Sequence, residues 1–199
     1  MNIRPYAAEL LGTFLLALLV HLSIGAGFPV PTPVIAGLTL GLLVYMLGGI
    51  SGAHVNPAVT IGLLSIGKIS WSEAVRYIAA QLLGGSLALM FGKALLGAPL
   101  ALTAGNSIMI LVAEALGAAI LVLGVSSVVH GKAPHDASGL TIGTSLALGA
   151  MAASVQANGV VNPAVALGIG SLSAAYIIGP IVGGVIAAQL YQALSKHAA

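Results

Sequence analysis

Asn56-Pro57-Ala58 and Asn162-Pro163-Ala164 set one short pattern in each half of a 199-residue chain. Proline fits the first position of a helix, where its missing N–H costs nothing. Asparagine before it fits the N-cap: its side-chain oxygen accepts a backbone N–H and its NH₂ is left as a donor. Each triplet therefore predicts the start of a short helix with an amide donor at its positive end. Two such starts would donate to a passing oxygen, and their dipoles would make the surroundings electropositive. No nucleophile–base pair, phosphate loop or metal-ligand cluster accompanies them, so catalysis is disfavoured and no cofactor is expected. The chain has no cysteine, which excludes disulfides and thiol chemistry and leaves the redox compartment open.

The surrounding chain is 59% hydrophobic and 5% charged. A soluble domain carries roughly 25% charged residues, so this chain reads as an integral membrane protein, all-α, with the lipid bilayer as its solvent. The net charge of +2 is too small to suggest nucleic acid binding. Membrane helices need about 20 apolar residues. On that measure full spans are expected over residues 5–24, 34–48, a stretch after a Ser72/Glu73 cap to 95, 108–129, 138–155 and 174–194. The stretches 57–66 and 163–171 are too short to cross and read as re-entrant half-helices. Arg4 and the apolar run after it could pass for a signal peptide, but no convincing cleavage site follows, so a retained first span is expected.

The chain repeats internally. Ala8-Glu9-Leu10-Leu11-Gly12 matches Ala113-Glu114-Ala115-Leu116-Gly117, and the stretch from Tyr77 to Gly85 matches that from Tyr176 to Gly184. One channel-type domain over 1–199, built from repeat 1–97 and repeat 98–199, is the expected organisation. Three spans per repeat invert the second repeat and set the half-helices end to end near the midplane. Arg4, Lys68, Arg76, Lys132 and Lys196 then share one side and Lys93 lies toward the other, which predicts cytoplasmic termini.

The two triplets, the Ala8-Glu9-Leu10-Leu11-Gly12-Thr13 segment and the run Ser51-Gly52-Ala53-His54-Val55-Asn56-Pro57-Ala58-Val59-Thr60 resemble the aquaporin, or major intrinsic protein, family over nearly the whole chain. The resemblance implies six spans plus two half-helices in an inverted repeat, one pore per chain, and a homotetramer in the cell membrane. It also implies an outer selectivity filter at Ala36, Ala150, Gly159 and Val165. In the family an arginine normally follows the second triplet directly; Val165 stands there in this chain. A wide, apolar outer filter is therefore expected, passing water and small uncharged solutes such as glycerol-sized polyols, urea, ammonia or peroxide. The acidic residue typical of the glycerol-facilitating branch is absent, with Ala166 and Leu167 in its neighbourhood. The rival readings are a non-conducting structural membrane protein and a coupled small-solute transporter.

Glu9 and Glu114 are ionisable groups inside spans and hence functional suspects. Their repeat-related places favour a structural role, holding loop N–H groups that no helix satisfies. His54, also matched by the family, braces its loop or lines the inner pore. His21 is expected to be buried or to face another subunit, with replacement of a lost filter donor as the alternative. His130, His135 and Asp136 read as a solvated cytoplasmic loop, with pH gating as the sharper option. Trp71 and Tyr77 are expected at the inner interface, and Tyr176 toward the outer side.

Overall fold

A computed structural model describes residues 2–196, so residue 1 and residues 197–199 at the ends of the two expected repeats lie outside the described residues. The chain is all-helical: α1 Arg4–Gly25, α2 Thr32–Ser51, α3 Pro57–Ser65, α4 Trp71–Leu96, α5 Ile108–Val129, a 3-10 turn His135–Ala137, α6 Ser138–Ala153, α7 Pro163–Gly168 and α8 Ala174–Lys196. Helices α1, α2, α4, α5 and α8 are long and apolar enough to span a bilayer. Helix α6, at 16 residues, is shorter than the expected 138–155 span. The half-helices α3 and α7 have 9 and 6 residues.

Several boundaries move for local reasons. Helix α2 starts earlier than expected, because Pro31 serves as its N-cap and Pro33 lies within its first turn, where proline is tolerated. Helix α4 is capped by Ser70 and not by Ser72: Ser70 and Glu73 form a reciprocal capping box with Trp71 as the first helical residue. The Ser-x-x-Glu spacing wins because it satisfies two orphan N–H groups at once.

The order long–long–half–long of α1–α4 recurs in α5–α8, and the packing recurs with it. Helix α1 packs on α4 and α5 on α8, while α2–α6, α1–α2 and α5–α6 close the bundle. These crossings rest on glycine. A Cβ at Gly37 of α2 would lie 2.5 Å from the Gly143 carbonyl of α6, and one at Gly143 would lie 2.5 Å from the Gly37 carbonyl. With lipid as apolar as the core, close backbone approach supplies the packing that a hydrophobic effect cannot. The half-helices use the same device. A Cβ at Gly85 of α4 would overlap the Ala164 carbonyl of α7, and one at Gly184 of α8 would lie 2.8 Å from the Ala58 carbonyl of α3. Each long helix thus supports the half-helix of the other repeat.

A paired substitution checks this reading. A Cβ on Gly183 would overlap the Ala115 carbonyl of α5, a backbone atom that cannot rotate away. Gly183→Ala is expected to lose about 1–3 kcal/mol or more by overpacking. Gly49→Ala, in α2 with nothing within 4 Å of its Cβ, should be neutral or gain about 0.5–1 kcal/mol. Thermal unfolding of the purified protein in detergent separates the two.

Candidate functional site

The half-helices face each other by their N-termini. Asn56 Oδ1 accepts the Ala58 N–H at 2.8 Å, and Asn162 Oδ1 accepts the N–H groups of Ala164 (3.0 Å) and Val165 (3.3 Å). Both caps form as the Asn-Pro pairs dictate. The NH₂ groups are only half free, however. Asn56 Nδ2 donates to the Val161 carbonyl at 3.0 Å, and Asn162 Nδ2 donates to the Val55 carbonyl at 2.9 Å. An amide NH₂ has two hydrogens, so each asparagine keeps one for a solute.

Those two valines are backbone outliers. Val55 has φ +42° and Val161 has φ +49°, a left-handed conformation that costs a β-branched residue about 1–3 kcal/mol. The Glu residues hold them there. Glu9 accepts the Val55 N–H (2.7 Å) and the His54 N–H (2.9 Å), along with Ser51 Oγ–H and Gln81 Nε2–H at 2.7 Å each. Glu114 accepts the N–H groups of Val160 (2.9 Å) and Val161. Both Glu side chains are fully buried. The relay is therefore Glu to valine N–H on one side, and valine carbonyl to the opposite asparagine on the other. Pro180 occupies the place in α8 that Gln81 holds in α4, so the second relay has no matching side-chain amide.

Two cavities lie beside the half-helices, one of them, called outer here, reaching this pair and sharing Leu40 and His54 with the other, called inner. The outer one, about 250 Å³, is lined by Ala36, Ala150, Gly159 and Val165 and reaches Asn56 and Asn162. Among the described residues, no Asp, Glu, Lys or Arg lines it. The inner one, about 630 Å³, runs past Val59, Leu63 and Val125 to His135 and Asp136. His54 and Leu40 line both. The His54 Nδ1 lies 3.2 Å from Thr60 Oγ1, and its ring meets Tyr77 edge-on at 5.1 Å. It thus braces its loop and lines the cavities at once.

Other expectations resolve one by one. His21 lines neither cavity. It is fully buried, its Nδ1 lies 2.9 Å from the Gly168 carbonyl at the end of α7, and its ring lies over Gly92. It supports α7 and does not replace a filter donor. Trp71 is exposed, but Tyr77 is buried, with its hydroxyl on the Ser51 carbonyl at 2.8 Å. The size and hydroxyl of Tyr77 make it a strut for the loop, not an interface anchor. Tyr176 is its counterpart: buried, with its hydroxyl accepting the Asn158 N–H at 2.8 Å. His135 and Asp136 are solvated, with 3.8 Å between His135 Nδ1 and Asp136 Oδ1. His130 is tied back to the Ser126 carbonyl at 2.8 Å. Sequence reasoning missed Gln81, Thr60, Ser154 and Asn158. A polar side chain in an apolar span was the available signal for Gln81.

Two half-helices set N-terminus to N-terminus between two cavities, inside a bundle of membrane-length helices, define a multi-pass membrane protein of the channel class. The family model described as "Major intrinsic protein" matches residues 1–191, and the chain belongs to that family. Among curated relatives, it is 31% identical to Aquaporin NIP1-1 of Zea mays over 95% of this chain and 74% of that one. It is 35% identical to Glycerol uptake facilitator protein-like 6 of Lactiplantibacillus plantarum, covering 93% and 95%. Aquaporin Z of Rhodopseudomonas palustris is 31% identical over 99% and 95%. Among solved structures, the aquaglyceroporin from Plasmodium falciparum matches at TM-score 0.72 and 22% identity over 98% of each chain, a likeness of fold.

Proposed function

We propose that the chain is a passive channel for water and small uncharged solutes, with the outer and inner cavities as the two halves of one path. The observation that carries this is the neck where Asn56 and Asn162 line the outer cavity, beside the Leu40 and His54 that it shares with the inner one. Asn56 and Asn162 each present one spare N–H there, at the positive ends of two facing half-helices. A neutral oxygen is welcomed by those donors, while a cation meets two helix dipoles. Ala36, Ala150, Gly159 and Val165 form the outer constriction in this reading, and their small apolar side chains leave it wide enough for glycerol-sized molecules. Coupled transport is disfavoured because, among the described residues, no carboxyl group lines the outer cavity, and the one on the inner cavity, Asp136, is solvated. The relatives named as aquaporins and as a glycerol uptake facilitator support the same solute range.

Each chain holds a complete path, and four chains assemble as a homotetramer in the cell membrane with cytoplasmic termini. Arg4 opens α1, Arg76 lies in the early turns of α4, and Lys68 and Lys132 follow α3 and α5. All four cations thereby fall at the end of the bundle that holds the inner cavity, as the positive-inside rule requires of a cytoplasmic face.

Stopped-flow swelling of proteoliposomes with water, glycerol, urea and larger polyols tests the function. Flux of water and glycerol-sized solutes, indifferent to ion gradients, is expected; water flux no greater than that of protein-free vesicles would overturn it. The neck has its own test. Asn56→Asp keeps the cap on Ala58 but cannot donate to Val161, and it places a negative charge between two positive helix ends. Proton leak, read with an enclosed pH dye, is expected to rise about tenfold, the equivalent of ~1.4 kcal/mol off the barrier.

A further inference from the structure

The outer mouth carries a feature that the valine for arginine exchange does not account for: two of its polar side chains, Asn158 and Ser154, are turned so that they accept. Asn158 sits on the loop that descends to the second triplet. Its Nδ2 donates to Ser171 Oγ at 2.7 Å and lies 3.2 Å from the Thr103 carbonyl. A carbonyl oxygen can only accept, so the amide cannot be flipped and both Nδ2 hydrogens are committed. Neither Thr103 nor Ser171 lines the outer cavity, whereas Asn158 does. The group of this amide left without a partner among the described residues is Oδ1. Ser154, also on the cavity wall, donates its hydroxyl hydrogen to the Ala150 carbonyl at 2.7 Å. What it can offer a solute is a lone pair. A side chain at Gly159 would collide with this same Ser154 hydroxyl, so the rim is kept open by glycine.

Further in, the polarity reverses. Asn56 and Asn162 present their spare N–H groups at the floor of the same cavity. The same cavity is also lined by Ala36, Leu121, Leu146, Ala150 and Val165, whose side chains return nothing to a solute that has shed its water. A solute crossing this cavity thus gives hydrogens at the rim and receives them at the floor, past apolar walls. Leaving a solute donor unpaired once it has shed its water costs more than a typical single hydrogen bond contributes.

We propose that Asn158 Oδ1 and Ser154 Oγ are specificity-determining groups of the outer mouth. They select, among uncharged solutes of one size, those that carry N–H or O–H donors opposite an acceptor, small primary amides above all. This rests on the channel reading and adds to it a rank order that pore width alone would not produce.

The isomers propionamide, N-methylacetamide and N,N-dimethylformamide share one formula and one carbonyl, and carry two, one and no N–H. Their protein-dependent flux is measured in proteoliposomes against protein-free vesicles, beside water flux in the same preparations. The expected order is propionamide, then N-methylacetamide, then N,N-dimethylformamide, with roughly 2- to 10-fold per donor. Ser154→Ala, which leaves the Asn158 anchor untouched, should compress that spread while water flux persists. Asn158→Ala should compress it further; if that variant loses water flux, Ser154→Ala and the wild-type series decide alone. Water flux with equal amide fluxes, or with none, overturns the acceptor rim and leaves the channel standing. A spread that Ser154→Ala leaves intact overturns the assignment to these residues. Loss of water flux in the wild type overturns the channel, and the rim with it.

Discussion

Alanine at Glu9 of α1 is expected to be the single change most damaging to the loop it supports, and glutamine about half as damaging. Each Glu9 oxygen takes one backbone N–H: Oε1 that of His54 and Oε2 that of Val55. Alanine strands both, at about 1–3 kcal/mol each in a buried site. Glutamine keeps one oxygen and turns an NH₂ against the other N–H, whichever way its amide is set, so it strands one. The backbone count is the same at Glu114, where Oε1 takes Val160 and Oε2 takes Val161, while Glu9 also holds Ser51 and Gln81. Thermal unfolding in detergent should therefore rank wild type above glutamine above alanine at both positions. Water flux should fail in the alanine variants, because the left-handed valines have nothing to hold them and the opposite asparagine loses its carbonyl. Equal losses for glutamine and alanine would mean that charge, and not the number of acceptors, sets the cost.

Val165→Arg should change selectivity more than any other substitution in the outer cavity. Val165 is the third residue of α7, its N–H directed at Asn162 Oδ1, and it lines the cavity with Ala36, Ala150 and Gly159. Arginine there adds a fixed cation with five donors and a long stem. In a cavity of about 250 Å³, the stem alone removes much of the width a polyol needs. Glycerol flux is expected to fall at least about tenfold, ~1.4 kcal/mol on the barrier, with a smaller loss for water and a lower proton leak. A cation beside the positive end of α7 also costs stability, about 0.3–1 kcal/mol, so folding is checked by unfolding midpoint. Unchanged glycerol flux in a well-folded variant would remove Val165 from the constriction.

What could be read from the residues was what local chemistry decides. Asn followed by Pro specifies a capped helix start regardless of surroundings, and both caps form at Asn56 and Asn162. Glu9 and Glu114 were readable as loop supports because an internal repeat gives two instances of one buried carboxyl group. Other features depend on distant partners. Half of each asparagine NH₂ is taken by a valine in the other repeat, which no spacing reveals. Tyr77 looks like an interface aromatic until the Ser51 carbonyl is placed above its hydroxyl. Asn158 and Ser154 are unremarkable loop polars until the committed hydrogens are counted. The α4 cap was misplaced for a different reason: Ser70 and Ser72 both suit an N-cap, and only the Glu73 spacing chooses between them.

The reciprocal bonds between Asn56 and Val161 and between Asn162 and Val55 bear on how the chain is made. When α1–α4 leave the ribosome, Asn56 and the Val55 carbonyl have nothing to bind, for Val161 and Asn162 are still unsynthesised. The first half therefore cannot finish its own loop in the membrane and must wait, with the Asn56 amide and the Val55 carbonyl open to whatever water reaches them. Only when the second loop threads in from the opposite face do both become dry together. Assembly of the neck is thus a single late event, and the order of translation makes the second half the one that arrives to close it.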